Sequence, residues 1–150
     1  MLISSGDIWS FTDHYIVIPT NIGWKKTGLA VMGAGLAKDA AQYYPDVLPW
    51  YGGVCETHKA STPVVLYPSR PLIFFPTKPL SPNEPHLSWK NPASLALIES
   101  RLPQLVELGK TLNAFIAVPL LGCGMGGLDP AVVTELCSRH LDDRFRLVTP

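Results

Sequence analysis

Three times in 150 residues a short apolar stretch runs into a proline and then into a polar or glycine-rich loop. These are Ile16-Val17-Ile18-Pro19 before Thr20-Asn21, Leu72-Ile73-Phe74-Phe75-Pro76 before Thr77-Lys78, and Ile116-Ala117-Val118-Pro119 before Leu120-Leu121-Gly122. Apolar runs this short, rich in β-branched and aromatic residues and without polar alternation, suit strands buried on both faces. Helical patterns separate them, which predicts an α/β domain with a mostly parallel sheet between helical layers. Ligands in open α/β sheets sit beyond the carboxyl ends of the strands, so the three loops are expected to converge on one cleft.

The remaining elements follow from punctuation. Leu2–Ser4 reads as a first strand, and Tyr15–Ile18 as a strand stopped by Pro19. A helix is expected over Leu36–Tyr44, ended by Pro45. Asp46 is a candidate cap for a second helix that Gly52-Gly53 weakens. Val64–Tyr67 and Leu72–Phe75 read as a hairpin, followed by a proline-rich loop from Pro76 to Lys90. Asn91-Pro92 reads as the start of a helix that Pro103 kinks or splits and that Gly109 ends. Phe115–Val118 is a strand, Asp129-Pro130 the cap and first turn of a helix to His140, and Phe145–Val148 the last strand.

A composition of 47% hydrophobic and 16% charged residues describes one folded domain over residues 1–150. Zero net charge excludes the basic footprint of a protein held on duplex nucleic acid by phosphate contacts. No apolar run approaches the roughly 20 residues of a membrane span. The first residues lack the basic segment of a signal peptide, so a cytoplasmic monomer is expected, with no membrane partner. The 3 cysteines and 4 histidines are scattered without metal-ligand spacing, so neither a metal nor a cofactor is expected. The 15 prolines are spread along the chain and read as loop stiffeners.

Beyond Val118 the chain opens into Gly122, Cys123, Gly124, Met125, Gly126 and Gly127 before the Asp129 cap. A buried strand, a glycine loop and a helix start form an anion cradle: backbone N–H groups can approach a phosphate closely. A second glycine pair, Gly33-Ala34-Gly35, opens the helix at Leu36.

Taken together, Gly6-Asp7-Ile8, Thr20-Asn21, Val31 to Ala37 (VMGAGLA) and Pro119 to Leu128 (PLLGCGMGGL) resemble the macro domain, a three-layer α/β/α module with a mixed, mostly parallel central sheet that binds ADP-ribose. Phe75-Pro76-Thr77-Lys78 is similar to the branch of DNA-ADP-ribose glycohydrolases found as antitoxins. A related branch that frees ADP-ribose from acidic protein side chains has a similar threonine–lysine pair. Two segments depart from that pattern: Gly23–Ala30 (GWKKTGLA) and Pro79–Lys90 (PLSPNEPHLSWK) are extended.

The resemblance implies roles. Asp7 would accept a hydrogen bond from the adenine amino group, or else cap a turn, with Ile8 beside it. Gly33, Ala34 and Gly35, with Gly122, Cys123, Gly124, Gly126 and Gly127, would clamp the pyrophosphate. Leu36 and Met125 would be walls against the riboses, or core. Asn21 would meet the hydroxyls of the distal ribose, its amide offering a donor and an acceptor, and would serve with Lys78 as a catalytic residue, unless it only forms a turn; Thr20 would bind substrate beside it. Lys78 would carry the chemistry, as an amine nucleophile on the anomeric carbon or as a cation stabilising the leaving group. The protein-directed branch has an aspartate where this chain has Gly126 or Gly127, which favours the antitoxin-like branch.

Lys25, Lys26, Trp24, Trp89 and Lys90 interleave cations with aromatics, which suits a single-stranded nucleic acid or a nucleobase leaving group, and ordinary loop packing nearly as well. The expected function is removal of ADP-ribose from a modified macromolecule, DNA or protein. A non-catalytic ADP-ribose reader is the alternative. A dinucleotide-binding Rossmann domain ranks below both, because no G-x-G-x-x-G follows the first strand.

Overall fold

The computed structural model describes all residues from Met1 to Pro150. Six strands, β1 (Leu2–Ser5), β2 (Tyr15–Asn21), β3 (Val65–Leu66), β4 (Leu72–Lys78), β5 (Ile116–Val118) and β6 (Phe145–Thr149), form one sheet in the order β1-β6-β5-β2-β4-β3. Every pairing is parallel except β3 with β4. Four helices cover it: α1 (Gly35–Tyr43), α2 (Val47–His58), α3 (Leu95–Leu112) and α4 (Pro130–His140).

Strand alternation divides the core. Ile16, Ile18, Leu72 and Phe74 pack with Ala40 of α1 and Val47, Tyr51 and Cys55 of α2. Val17, Ile73 and Phe75 pack on the other face with Ile98, Leu102 and Leu105 of α3 and Val133, Leu136 and Cys137 of α4. This is the expected three-layer α/β/α arrangement. No helix is long and apolar enough to cross a membrane.

Several boundaries differ from the sequence reading. Pro19 does not stop β2, which continues to Asn21. The Tyr15 N–H bonds towards β5 and the Ile16 N–H towards β4, so alternation turns position 19 towards β5. There β2 is paired only through Tyr15 and Ile16, and a missing N–H breaks no bond. Pro76 lies inside β4 for the same reason, facing the side where β3 has already ended. Pro103 does not split α3, because it and Glu99 are exposed and solvent can satisfy the Glu99 carbonyl that it leaves free. Gly109 lies inside that helix, and the left-handed residue that ends it is Asn113 (φ 47°). Ser94, not Asn91, caps α3, accepting from the Leu97 N–H at 3.1 Å. Asp46 is itself helical and makes no capping bond with its side chain.

The glycine pair in α2 marks a contact. A Cβ at Gly52 would overlap the Gly28 carbonyl oxygen and lie 2.7 Å from the Ala30 nitrogen, so α2 carries glycine where the Gly23–Ala30 segment lies on it. Gly53 faces open space. Gly53→Ala should therefore raise stability by about 0.5–1 kcal/mol through helix propensity. Gly52→Ala should lower it by roughly 1–3 kcal/mol, because the clash outweighs the same gain. Urea midpoints of the two variants would check the opposite signs.

Candidate functional site

Because β1, β6, β5, β2 and β4 run parallel, their carboxyl ends lie along one edge of the sheet. β5, β2 and β4 are neighbours there, so the three proline-ended strands do converge. Asp7 stands beyond β1 at one end of this edge and Lys78 ends β4 towards the other. At about 4.8 Å per strand, the four steps from β1 to β4 separate them by roughly 19 Å.

Between these ends stand the two glycine loops. α1 starts on Gly35 (φ 58°) behind Ala34, whose side chain cannot cap. The first intrahelical acceptor is the Ala34 carbonyl, taken by Lys38 at 3.2 Å, so the N–H groups of Gly35, Leu36 and Ala37 remain open. α3 and α4 are capped by a side chain, and in α2, which Asp46 does not cap, the Val47 and Leu48 N–H groups bond to the Tyr44 and Pro45 carbonyls, so α1 is the helix whose amino terminus is left for an outside acceptor.

The second loop is folded on itself: Leu128 N–H donates to the Gly122 carbonyl at 3.0 Å and Gly127 N–H to Gly124 at 3.2 Å. Gly122 has φ 72°, and a Cβ on it would sit 2.7 Å from Ala93 Cβ. At Gly126 it would overlap the Gly122 carbonyl. The N–H groups of Gly124, Met125 and Gly126 take no part in these turn bonds. Met125 is 75% exposed and Leu36 half-buried against the α1 and α2 side of the core, so the first is not core and the second partly is.

Asp129 caps α4 through the Ala131 N–H at 2.9 Å. Cys123 donates to the Leu121 carbonyl, and burial, with Asp129 nearby, holds its thiol above the usual range. Cys55 and Cys137 are pushed by burial to about 12 and about 11, so all three are neutral thiols at physiological pH.

At the other end, the register of β2 against β4 slips by one residue. Thr20 faces Pro76, but Asn21 faces Lys78, and Thr77 is left over as a bulge. The slip makes Asn21 and Lys78 register partners. Buried hydroxyls hold it: Thr77 Oγ1 donates to the Thr20 carbonyl at 3.2 Å, and Thr20 Oγ1 meets the Tyr51 hydroxyl at 2.6 Å. Thr20 is 4% exposed and its hydroxyl is taken by Tyr51, so its side chain braces the strand end. Tyr51 and Thr77 are the residues that sequence reasoning missed. Thr77 lay inside the quoted motif, whereas nothing links Tyr51 to Thr20 across 31 positions.

The Asn21 amide donates to the Val31 carbonyl at 2.9 Å and accepts from the Gly23 N–H at 3.0 Å, closing the loop into which it leads. It therefore forms the turn, with one N–H and one lone pair still free. Lys78 Nζ donates to the Trp89 carbonyl at 2.8 Å, and partial burial lowers its pKa from the ordinary 10.5. Asp7 accepts from the Trp9 N–H at 3.0 Å, capping a 3-10 turn (Ile8–Ser10), and Ile8 is buried beneath it. No group of three or more His, Cys, Asp or Glu side chains is arranged to hold a metal ion.

No family model matches the chain. A DNA ADP-ribosyl glycohydrolase of Mycobacterium tuberculosis is 32% identical over 103 residues, which cover 67% of this chain and 29% of that protein. A DNA ADP-ribosyl transferase–DNA ADP-ribosyl glycohydrolase fusion protein of Thermosipho africanus is 31% identical over 130 residues, covering 75% and 33%. The chain thus spans about a third or less of the curated relatives it matches. Among solved structures, the macrodomain of M. tuberculosis DarG is similar at a TM-score of 0.75 and 26% identity, with 99% of this chain and 97% of that one covered. T. africanus DarTG in complex with ADP-ribose gives 0.77 and 27%, covering 99% and 42%. The likeness runs from the first strand to the last, through both glycine loops and the strand ends that carry Asn21 and Lys78: the chain belongs to the macro domains, in the DarG branch.

Proposed function

We propose that this macro domain is a DNA ADP-ribosyl glycohydrolase: it binds ADP-ribose attached to DNA along the carboxyl edge of its sheet and releases it through Lys78. The printed activity of the relatives supports this, as does the order of groups along the edge. Adenosine would lie by Asp7, whose second carboxylate lone pairs remain available to an amino group. The pyrophosphate would take the open N–H groups of α1 and of Gly124 to Gly126. The distal ribose would then reach β2 and β4, where Asn21 has a donor and an acceptor to spare for its hydroxyls.

The observation that carries the reading is the partly desolvated Lys78 amine beside Asn21. A depressed pKa raises the fraction of neutral amine, the form that can attack. Nζ forms a bond to the anomeric carbon as the bond from that carbon to the DNA base breaks. The electron pair leaves with the base, which takes up a proton. Water then displaces the amine, giving free ADP-ribose and restoring Lys78. Glycines at 126 and 127 leave no carboxylate in the second loop, and the cationic and aromatic residues of the extended segments suit DNA better than an acidic protein surface.

Incubation with ADP-ribosylated single-stranded DNA should release ADP-ribose, and Lys78→Ala should lower kcat by roughly 10²–10⁴-fold while calorimetric binding of ADP-ribose persists. Binding without release by the unmodified chain would instead identify a reader, and failure to bind ADP-ribose would overturn both.

The pH profile separates the roles of the lysine. A nucleophile must be neutral, so kcat should rise with pH and level off above the folded pKa, with the rise centred below 10.5. Lys78→Arg keeps the cation but offers no amine, and should be as inactive as Lys78→Ala. Turnover retained by the arginine variant would mean an electrostatic role.

A further inference from the structure

The two segments that depart from the antitoxin pattern lock into each other. Gly23–Ala30 folds as a small hairpin, with Trp24 bridged to Ala30 and the Lys25 N–H donating to the Leu29 carbonyl at 2.8 Å. Pro79–Lys90 ends in a 3-10 helix (Pro85–Lys90). Its buried Ser88 Oγ accepts from the Ser81 N–H at 2.9 Å, and Asn91 Nδ2 donates to both the Pro79 carbonyl and Ser81 Oγ at 2.9 Å. The segments meet at Gly23, where a Cβ would overlap the Pro85 carbonyl and press on the Ser88 side chain. Interlocked in this way, they border an open cavity of about 320 Å³ lined by Lys25, Lys26, Val31, His86, Leu87 and Trp89.

Two backbone contacts join this cavity to the reactive end of the site. The Val31 carbonyl accepts from Asn21, and the Trp89 carbonyl accepts from Lys78. The chain has zero net charge, yet Lys25, Lys26, Lys59, Lys78 and Lys90 gather here: Lys59 Nζ lies 5.7 Å from the Trp24 ring and Lys90 Nζ 5.6 Å from the Trp89 ring. Trp89 is 44% exposed. Exposed cations beside an accessible indole match the two halves of a nucleotide, its phosphate and its stacking base. The volume is at the low end of small-molecule pockets, roughly 300–1,000 Å³, and so admits one residue of a polymer at a time.

We infer that this cavity is a subsite for the nucleotide next to the modified one: Lys25 and Lys26 hold its phosphate and Trp89 stacks its base. The inference rests on the proposed action on DNA and goes beyond it, since it has the enzyme read the strand as well as the ADP-ribose.

The test compares two substrates and one binding probe. The unmodified chain should have a kcat/KM at least about tenfold higher on an ADP-ribosylated single-stranded oligonucleotide than on the corresponding ADP-ribosylated mononucleotide, on the scale of one stacked base. In Lys25→Glu/Lys26→Glu, and separately in Trp89→Ala, that ratio should fall towards one. Anisotropy of a fluorescent unmodified single-stranded DNA gives the second readout. The lysine variant should bind it more weakly, and the slope of log K against log salt should lose about 0.7 for the one phosphate that the two lysines hold. Equal binding by the variant and the unmodified chain, or no oligonucleotide preference in a turning-over enzyme, overturns the subsite. Absence of turnover on either substrate, with DNA binding lost in the variant, supports the subsite and overturns the proposed catalysis instead.

Discussion

Everything at the Asn21 and Lys78 end of the cleft depends on the pairing of β2 with β4. Both strands are covered on both faces, and Val17, Ile18, Ile73, Phe74 and Phe75 have no exposed surface. A backbone group left unpaired there would cost about 1–3 kcal/mol, so the ladder has to be complete to the edge of the sheet. The two prolines meet this constraint by facing the sides where β5 and β3 have already ended. Irregularity is admitted only at the last step, where the Thr77 bulge leaves a carbonyl for Thr77 Oγ1 and a hydroxyl for Tyr51 to satisfy. That one-residue slip decides that Lys78, and not Thr77, stands against Asn21. The Ser94 N–H, bonded to the Thr77 carbonyl at 2.9 Å, anchors the start of α3 to the same bulge.

The molecule uses two ways of holding negative charge, and they are kept apart. Backbone N–H groups at α1 and in the Gly122–Gly127 loop carry no net charge and, on the proposed reading, serve a pyrophosphate whatever it is attached to. Lysines are concentrated instead in the extended segments, beyond the reactive end, where on the proposed reading the modified macromolecule enters. A chain of zero net charge can therefore bind a dianion without attracting nucleic acid over its whole surface.

Much of this was legible in the sequence because the signals were local. Apolar runs ending in proline identified the strands, their order with the helices gave a parallel sheet, and the glycine loops with the Thr77-Lys78 pair carried the family resemblance that pointed to Asn21 and Lys78. What was not legible depended on which side of an element a residue faces. Pro19 and Pro103 look like breakers in one dimension, and only the end of β5 and the exposure of Glu99 make them harmless. Gly52 looks like a helix fault and Gly109 like a helix end until Gly28 and the Phe145 ring are seen to occupy the missing Cβ positions. Nothing local in the sequence shows that strand alternation turns the Thr20 hydroxyl inward to Tyr51.

Trp89 ties the two parts of the cleft together. Its ring lines the cavity between the extended segments, and its carbonyl is the acceptor for Lys78 Nζ. Accepting from the amine favours the ammonium form, whereas partial burial favours the neutral one, and burial sets the direction of the shift. The balance is local to one peptide group. The Pro79–Lys90 segment, which departs from the family pattern, thus supplies both a wall of the cavity and the carbonyl against which the Lys78 amine is held.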